Sequence, residues 1–250
     1  MQKKYLAGVV FAAMLAPAAQ AATVVGFKIG ADYIHADADA SVSDDKGNRQ
    51  SFDYSTTGQS SLWFAVEHPL PFVPNLLVRE NRFESNGFKS GADFTFNGTT
   101  FNGDVGVTTD LGNTDFVLYY ELLDNDILSL DVGGAWKKMD GAVRVTNANA
   151  TGLPFATQKD FSDGIMMGYA SGVAGVPGLG LYGFIDLLAG IDEGQVYDYT
   201  IGLGWEFDGV AVDTRVRAGY REFNFDVKGF DGITTDSSFS GYFAGVELTF

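Results

Sequence analysis

The chain has 250 residues, 46% of them hydrophobic and 14% aromatic, with 32 glycines, no cysteine and a net charge of −16. No disulfide can brace it, and so acidic a balance argues against nucleic-acid partners. Glycine at this level often marks disorder, but disordered chains are poor in aromatics; glycine interleaved with aromatic and aliphatic residues suits closely packed, curved strands.

The first 21 residues, MQKKYLAGVVFAAMLAPAAQA, combine Lys3 and Lys4, an apolar run from Leu6 to Leu15, and a small-x-small ending at Ala19-Gln20-Ala21. These are the three parts of a cleaved secretory signal peptide, leaving residues 22–250 as the mature exported chain. The apolar run is shorter than the roughly 20 residues a helical span needs. Later apolar stretches are broken every few residues by Asp, Glu, Gly or Pro. Without Lys3 and Lys4, fourteen basic residues face 32 acidic ones, a balance compatible with cations or with a divalent-bridged lipopolysaccharide surface.

From Thr23 the chain alternates with period two, the pattern of a strand with two unlike faces. Val25, Phe27, Ile29, Ala31 and Tyr33 share one face, while Gly26, Lys28, Gly30 and Asp32 share the other. An Asp-rich stretch from Asp37 to about Gln59 reads as a loop. In SSLWFAV, Leu62, Phe64 and Val66 oppose Trp63, Ala65 and Glu67, and HPLPFVPN makes a tight connection. The third run sets Leu76 and Val78 outward against Arg79 and Asn81, although Glu80 and Arg82 interrupt its apolar face. Residues 85–113, polar and rich in Gly, Asn and Thr, read as a long loop. Phe116, Leu118, Tyr120 and Leu122 then oppose Asp115, Val117, Tyr119 and Glu121.

After a short turn, Leu128, Leu130 and Val132 face away from Ser129, Asp131 and Gly133. The segment from Asp140 to Asp163 reads as a third loop. Ile165, Met167 and Tyr169 alternate with small Gly168, Ala170 and Gly172, and Leu181, Gly183, Ile185 and Leu187 with Tyr182, Phe184 and Asp186. The last three runs are the clearest. Tyr197, Tyr199, Ile201, Leu203 and Trp205 oppose Asp198, Thr200, Gly202, Gly204 and Glu206. Val212, Thr214, Val216, Ala218 and Tyr220 oppose Asp213, Arg215, Arg217, Gly219 and Arg221, and Tyr242, Ala244, Val246, Leu248 and Phe250 oppose Phe243, Gly245, Glu247 and Thr249.

Ten runs joined by alternately long and short connections, with one short link on the long side after run seven, predict an all-β fold, a transmembrane antiparallel up-and-down β-barrel of ten strands. Eight strands is the alternative, if runs three and four or seven and eight are misread. A soluble sandwich also alternates. It seldom needs Glu121, Asp131, Asp186, Arg215 and Arg217 in mid-strand, and the aromatics at run ends, Tyr33, Tyr120, Tyr197, Tyr199, Trp205, Tyr220 and Phe250, sit where interfacial girdles belong. The terminal pattern Tyr242, Val246, Leu248, Phe250 resembles the C-terminal assembly signal of bacterial outer-membrane proteins, which implies barrel-assembly machinery and periplasmic chaperones as partners during biogenesis.

VEHPLPFVPN (66–75), LYYELLDN (118–125) and LDVGGAWKK (130–138) resemble a family of small proteobacterial outer-membrane β-barrels named for a Gly-Gly motif, here Gly133-Gly134. The resemblance implies an outer-membrane location and brings no established activity.

The chemistry-bearing residues are sparse. Of the two histidines, His68 lies in the Pro-rich turn and His35 near Asp32, Asp37 and Asp39, and no nucleophile stands beside either. The Asp-rich stretch has Val42 where a calcium loop starting at Asp37 needs glycine, and no cofactor or metal is expected. Inward charges are more telling: Lys28, Arg79, Glu121, Asp131, Asp186, Arg215, Arg217 and Glu247 are expected to form a lumen charge network, because isolated buried ions are costly. The expected role is therefore non-enzymatic, a structural or surface-interaction barrel in contact with outer-membrane lipids and lipopolysaccharide. The alternatives are a narrow channel for small solutes and, third, a lipid- or peptide-modifying enzyme.

Overall fold

The structure is a computed structural model and describes residues 25–70, 72–125, 127–147 and 155–250. The expected signal peptide lies outside these residues. Sixteen strands are described: β1 (Gly26–Ser43), β2 (Arg49–Ser51), β3 (Asp53–Tyr54), β4 (Thr57–Glu67), β5 (Asn75–Arg82), β6 (Glu84–Phe96), β7 (Thr99–Asp110) and β8 (Asn113–Asp124). They continue with β9 (Leu128–Met139), β10 (Gly141–Asn147), β11 (Ala156–Phe161), β12 (Gly164–Gly175), β13 (Leu181–Gly190), β14 (Val196–Phe207), β15 (Asp213–Phe230) and β16 (Ile233–Thr249).

Ten of these close an antiparallel barrel in the order β1-β4-β5-β8-β9-β12-β13-β14-β15-β16, sealed by β16 pairing back to β1 from Lys28↔Thr249 to Val42↔Thr235. Both doubtful hairpins are real: β5 pairs β8, and β13 pairs β14, so the count is ten and not eight. Phe250 completes the closure, exchanging backbone hydrogen bonds with Phe27 at 2.8 and 3.3 Å. Runs one to ten thus coincide with the barrel strands. On β12 the large residues Ile165, Met167 and Tyr169 are the buried, inward ones, and Met166 is exposed among the small outward residues.

The stretches that read as loops are a second storey of β-structure. β3, β6, β7, β10 and β11 form a five-stranded antiparallel sheet that prolongs the wall above β5, β8, β9 and β12. On the other side β1, β15 and β16 themselves run on, and β2 pairs with the top of β1. Asn97-Gly98 and Asp231-Gly232, each with both residues at positive φ, turn the β6–β7 and β15–β16 hairpins in the two-residue geometry that matches strand twist.

The physical reason the alternation was missed there is that its polarity inverts. Along β15 the inward residues change from Arg215, Arg217 and Arg221 to Phe223, Phe225 and Val227, the last three almost wholly buried. The outward residues change from Val216 and Tyr220 to Glu222, Asn224 and Asp226. One strand therefore obeys the rule of a lipid-facing barrel below and that of a water-facing sheet above. The core of the molecule sits in the upper storey, around Phe94, Phe96, Phe101, Val105, Phe161 and Phe239.

Below the inversion the exterior is an apolar belt. Tyr197, Tyr199, Tyr220 and Tyr242 form a girdle at its upper edge with successive ring centroids 6.2, 6.4 and 5.7 Å apart. Leu203 lies mid-belt, 65% exposed, beside Gly183 and Ala218. Leu203→Arg is expected to cost about 2–4 kcal/mol in lipid, the penalty for a cation near the midplane. Ser238→Arg, on the outward face of the upper storey, should stay within about 0.5 kcal/mol. Equilibrium unfolding of both variants in bilayers checks this, and equal costs would contradict the belt.

Candidate functional site

The lumen is divided into three layers along the barrel axis. The middle layer is ionic. β9 turns Lys137 inward and β8 does the same for Asp115, as alternation requires, and the two side chains are fully buried at 2.7 Å. The ammonium also donates to Asn113 Oδ1 at 2.9 Å and reaches Asp198 Oδ2, across the bore on β14, at 3.5 Å. Arg221 on β15 grips Asp198 with two hydrogen bonds, Nε to Oδ1 at 2.9 Å and Nη2 to Oδ2 at 2.7 Å, and donates to Asn81 Oδ1 at 2.8 Å. Asn81 in turn donates to Asn113 Oδ1 at 2.9 Å and Asp115 Oδ2 at 3.0 Å. Two cations thus meet two anions in a neutral cluster whose charged side chains are at most 4% exposed. Burying four charges is tolerable only because each lies against an opposite charge and the Asn81 and Asn113 amides join them; Asp115 Oδ1 has the Lys137 ammonium at 2.7 Å and no hydrogen bond.

Above this layer lies an aromatic lid. Phe223 stacks on Phe83 at 5.0 Å, and Phe83 meets Phe239 at 5.4 Å. Lys137 Nζ lies 4.8 Å from the Phe223 centroid and the Arg221 guanidinium 5.2 Å from that of Phe83, so the rings accept the cations from above. The upper-storey core continues from there.

Below the ionic layer is a vestibule, a cavity of about 730 Å³ that reaches down to the short turns at Asn125, Pro177 and Asp208. Its walls carry most of the sequence-predicted network. Lys28 pairs with Glu67 at 2.7 Å, and Tyr119 donates to the same carboxylate oxygen at 2.7 Å. Arg215 bridges Glu206 at 2.5 Å and Glu247 at 3.2 Å. Arg217 reaches over β16 to Asp32 on β1 with contacts of 3.0 and 2.6 Å. The residue it passes is Gly245, where a Cβ would stand 1.9 Å from Asp32 Oδ1; any side chain there would displace the pair. Glu121 accepts a 3.3 Å hydrogen bond from Asn75. Arg79, Asp131 and Asp186 line the cavity with no ion pair within 4.0 Å among the described residues. Tyr242, Val246, Leu248 and Phe250, named from the terminal pattern, all lie on the outward face of β16 or at its end.

Sequence reasoning missed the centre of the ionic layer. Asp115 and Asp198 were on the inward face but outside the expected network, and Lys137 was not placed at all, because the fifth run was stopped at Gly133. Extending the same parity through Ala135 finds it.

The other candidates are separated by the fold. His35 is exposed on the outward face of β1, opposite to the inward Asp32 that Arg217 holds. His68 accepts from the Leu70 amide at 3.2 Å in the short turn. The acidic stretch serves the backbone: Asp44 accepts from the Lys46 and Asn48 amides, and Asp45 from those of Asn97 and Gly98, all within 2.9 Å. Burial opposes it, but the Lys46 and Asn48 amides and the Asn48 and Gln50 side chains hold the Asp44 carboxyl below its usual range. In the same storey, burial pushes the Tyr54 hydroxyl up to about 12 despite its 2.8 Å hydrogen bond with Thr109. Burial likewise raises the Asp110 carboxyl, against the amide of Gly112.

No family model and no curated protein matches the chain. Among solved structures it is similar to the translocator domain of the autotransporter NalP from Neisseria meningitidis, with 13% identity over 98% of this chain and 95% of that one and a TM-score of 0.42. It is also similar to Ail, the attachment invasion locus protein of Yersinia pestis, solved with the heparin analogue sucrose octasulfate, with 13% identity, 90% and 99% coverage and a TM-score of 0.31. The P. putida toluene transporter TodX is similar at 8% identity, 92% and 90% coverage and a TM-score of 0.31.

Proposed function

We propose that this chain is an integral β-barrel of a Gram-negative outer membrane with a structural or surface-interaction role, acting through its upper storey and not by conduction. The observation that carries the reading is the closure of the lumen. The Asp115–Lys137–Asp198–Arg221 layer leaves no charged side chain more than 4% exposed, and the Phe83–Phe223–Phe239 lid covers it. A solute crossing the barrel would have to part both.

The short turns belong on the periplasmic side and the hairpins outside, the asymmetry such barrels adopt. The upper storey then stands beyond the membrane as a rigid platform, and the partners are outer-membrane lipids and lipopolysaccharide at the tyrosine girdle, or ions and ligands at the hairpins. The signal-peptide pattern and the terminal Phe250 fit export and insertion by barrel-assembly machinery with periplasmic chaperones. The Gly133-Gly134 resemblance supports membership in the small Gly-Gly-motif barrels. No reaction is assigned, since the two histidines lie apart and His35 points away from the lumen.

The second reading, a narrow channel, is favoured by the 730 Å³ vestibule, which is half of a passage. Planar-bilayer recording separates the two. The purified protein is expected to insert without steady openings; reproducible unitary conductance would overturn the closed-barrel reading in favour of the channel.

A further inference from the structure

Some of the charged groups lining the vestibule have no ion-pair partner within 4.0 Å among the described residues. Three of its four cations are matched: Lys28 by Glu67, Arg215 by Glu206 and Glu247, Arg217 by Asp32. Arg79 is only 8% exposed, and its Nε has no hydrogen-bond partner. The carboxylates that act on it, Asp186, Asp115 and Asp198, do so from beyond ion-pair distance. Beside it, as its cross-strand neighbour, Trp63 turns inward at 6% exposure with an unpartnered Nε1–H. Both residues line the cavity from one wall, with the Trp63 indole laid over Gly30 on β1.

The opposite wall supplies acceptors. Asp131, Ser171 and Asp186 are register partners on three adjacent strands, β9, β12 and β13, and form one inward row. All three line the cavity. Asp131 Oδ1 is buried without a hydrogen-bond partner, and its neighbours include the carboxylates of Glu121, Glu67 and Asp186, with Lys28 the nearby cation and already paired to Glu67. Buried polar atoms lacking partners call for an explanation, and leaving a charge in that state costs several kcal/mol unless something compensates it.

We propose that the vestibule is a binding site for a small zwitterion with a free ammonium and a free carboxylate, an amino acid or short peptide. The carboxylate docks on the Arg79 guanidinium, and the ammonium docks on Asp131 and Asp186. The charges of such a ligand match both walls at once, whereas an anion or a cation alone leaves one wall uncompensated. The volume falls within the range of small-molecule pockets. Because the ionic layer closes the top, ligand enters and leaves by the short-turn end. Only the compartment that supplies it rests on the membrane orientation proposed above, and binding itself does not.

The test is calorimetric titration of the mature protein in detergent micelles with trialanine, N-acetyl-trialanine, trialaninamide and putrescine. Heat-modifiable gel mobility verifies folding of every sample. Trialanine is expected to bind, and each capped peptide to bind more weakly by about ten-fold or more, the loss of a charge-assisted contact. Arg79→Gln should abolish the distinction between trialanine and its amide, and Asp131→Asn that between trialanine and its acetylated form. The ligand comparison on unmodified protein stands even if a variant fails to fold. Absence of trialanine binding by folded protein, equal binding of the capped forms, or putrescine binding as tightly as trialanine would each overturn the proposal. A bilayer conductance, by contrast, would overturn the closed-barrel reading and leave this site untouched.

Discussion

Lys137→Met is expected to destabilise the folded barrel by about 3–5 kcal/mol, the cost of removing one partner from a buried ion cluster. Methionine fills nearly the same volume, so packing accounts for little of the loss. What changes is charge. Asp198 keeps the two hydrogen bonds of Arg221, but Asp115, with a fully buried side chain, loses its ion-pair partner among the described residues and keeps the 3.0 Å contact from Asn81. The remaining cluster has two anions and one cation. Adding Asp115→Asn restores neutrality while preserving an acceptor for Asn81, so the double variant should recover most of the lost stability. Urea unfolding in micelles, followed by tryptophan fluorescence, reads both values. A single variant within about 1 kcal/mol of the parent would mean that the cluster is hydrated and the lumen less closed than its geometry implies.

The two halves of the molecule were not equally legible in the sequence. In the lower half a lipid-facing strand must alternate, and the long alternating runs around Ile201–Trp205 and Val212–Tyr220 announce it without ambiguity. In the upper half the alternation continues, its parity shifted in β6 by the bulge between Lys89 and Ala92, and the apolar positions are diluted among Asn, Gly and Thr. Phe94, Phe96, Phe101, Val105 and Val107 all lie in a stretch whose average polarity reads as loop, yet each is buried. The Asn97-Gly98 pair was the available signal, since such a dipeptide between alternating residues marks a two-residue hairpin. Which inward charges find each other was legible only in part. Parity places Arg217 and Asp32 inside, but the reach of Arg217 past Gly245 depends on barrel curvature and on the missing Cβ at that glycine. Arg79, Asp131 and Asp186 were placed inward as well, and only three-dimensional spacing reveals that they stand apart.

The second large effect is expected at the junction of the two halves. Phe223→Ala should cost about 3–5 kcal/mol, the usual range for emptying an aromatic site in a packed core. Phe223 is fully buried, and three interactions converge on it: its stack on Phe83, a 6.3 Å contact with Phe225, and Lys137 Nζ beneath its face. Deleting the ring therefore opens a cavity and removes a partner of the buried ammonium at once. Phe223→Leu keeps most of the volume and loses the π face, so the difference between the two variants separates packing from the cation–π term, which is expected to be about 1–2 kcal/mol when desolvated. The ionic layer lies below the ring and keeps its own hydrogen bonds, so Phe223→Ala should remain silent in planar bilayers while unfolding at lower urea. If instead the variant conducts, the lid and not the ion cluster is the seal, and the order of the two layers in closing the lumen must be reversed.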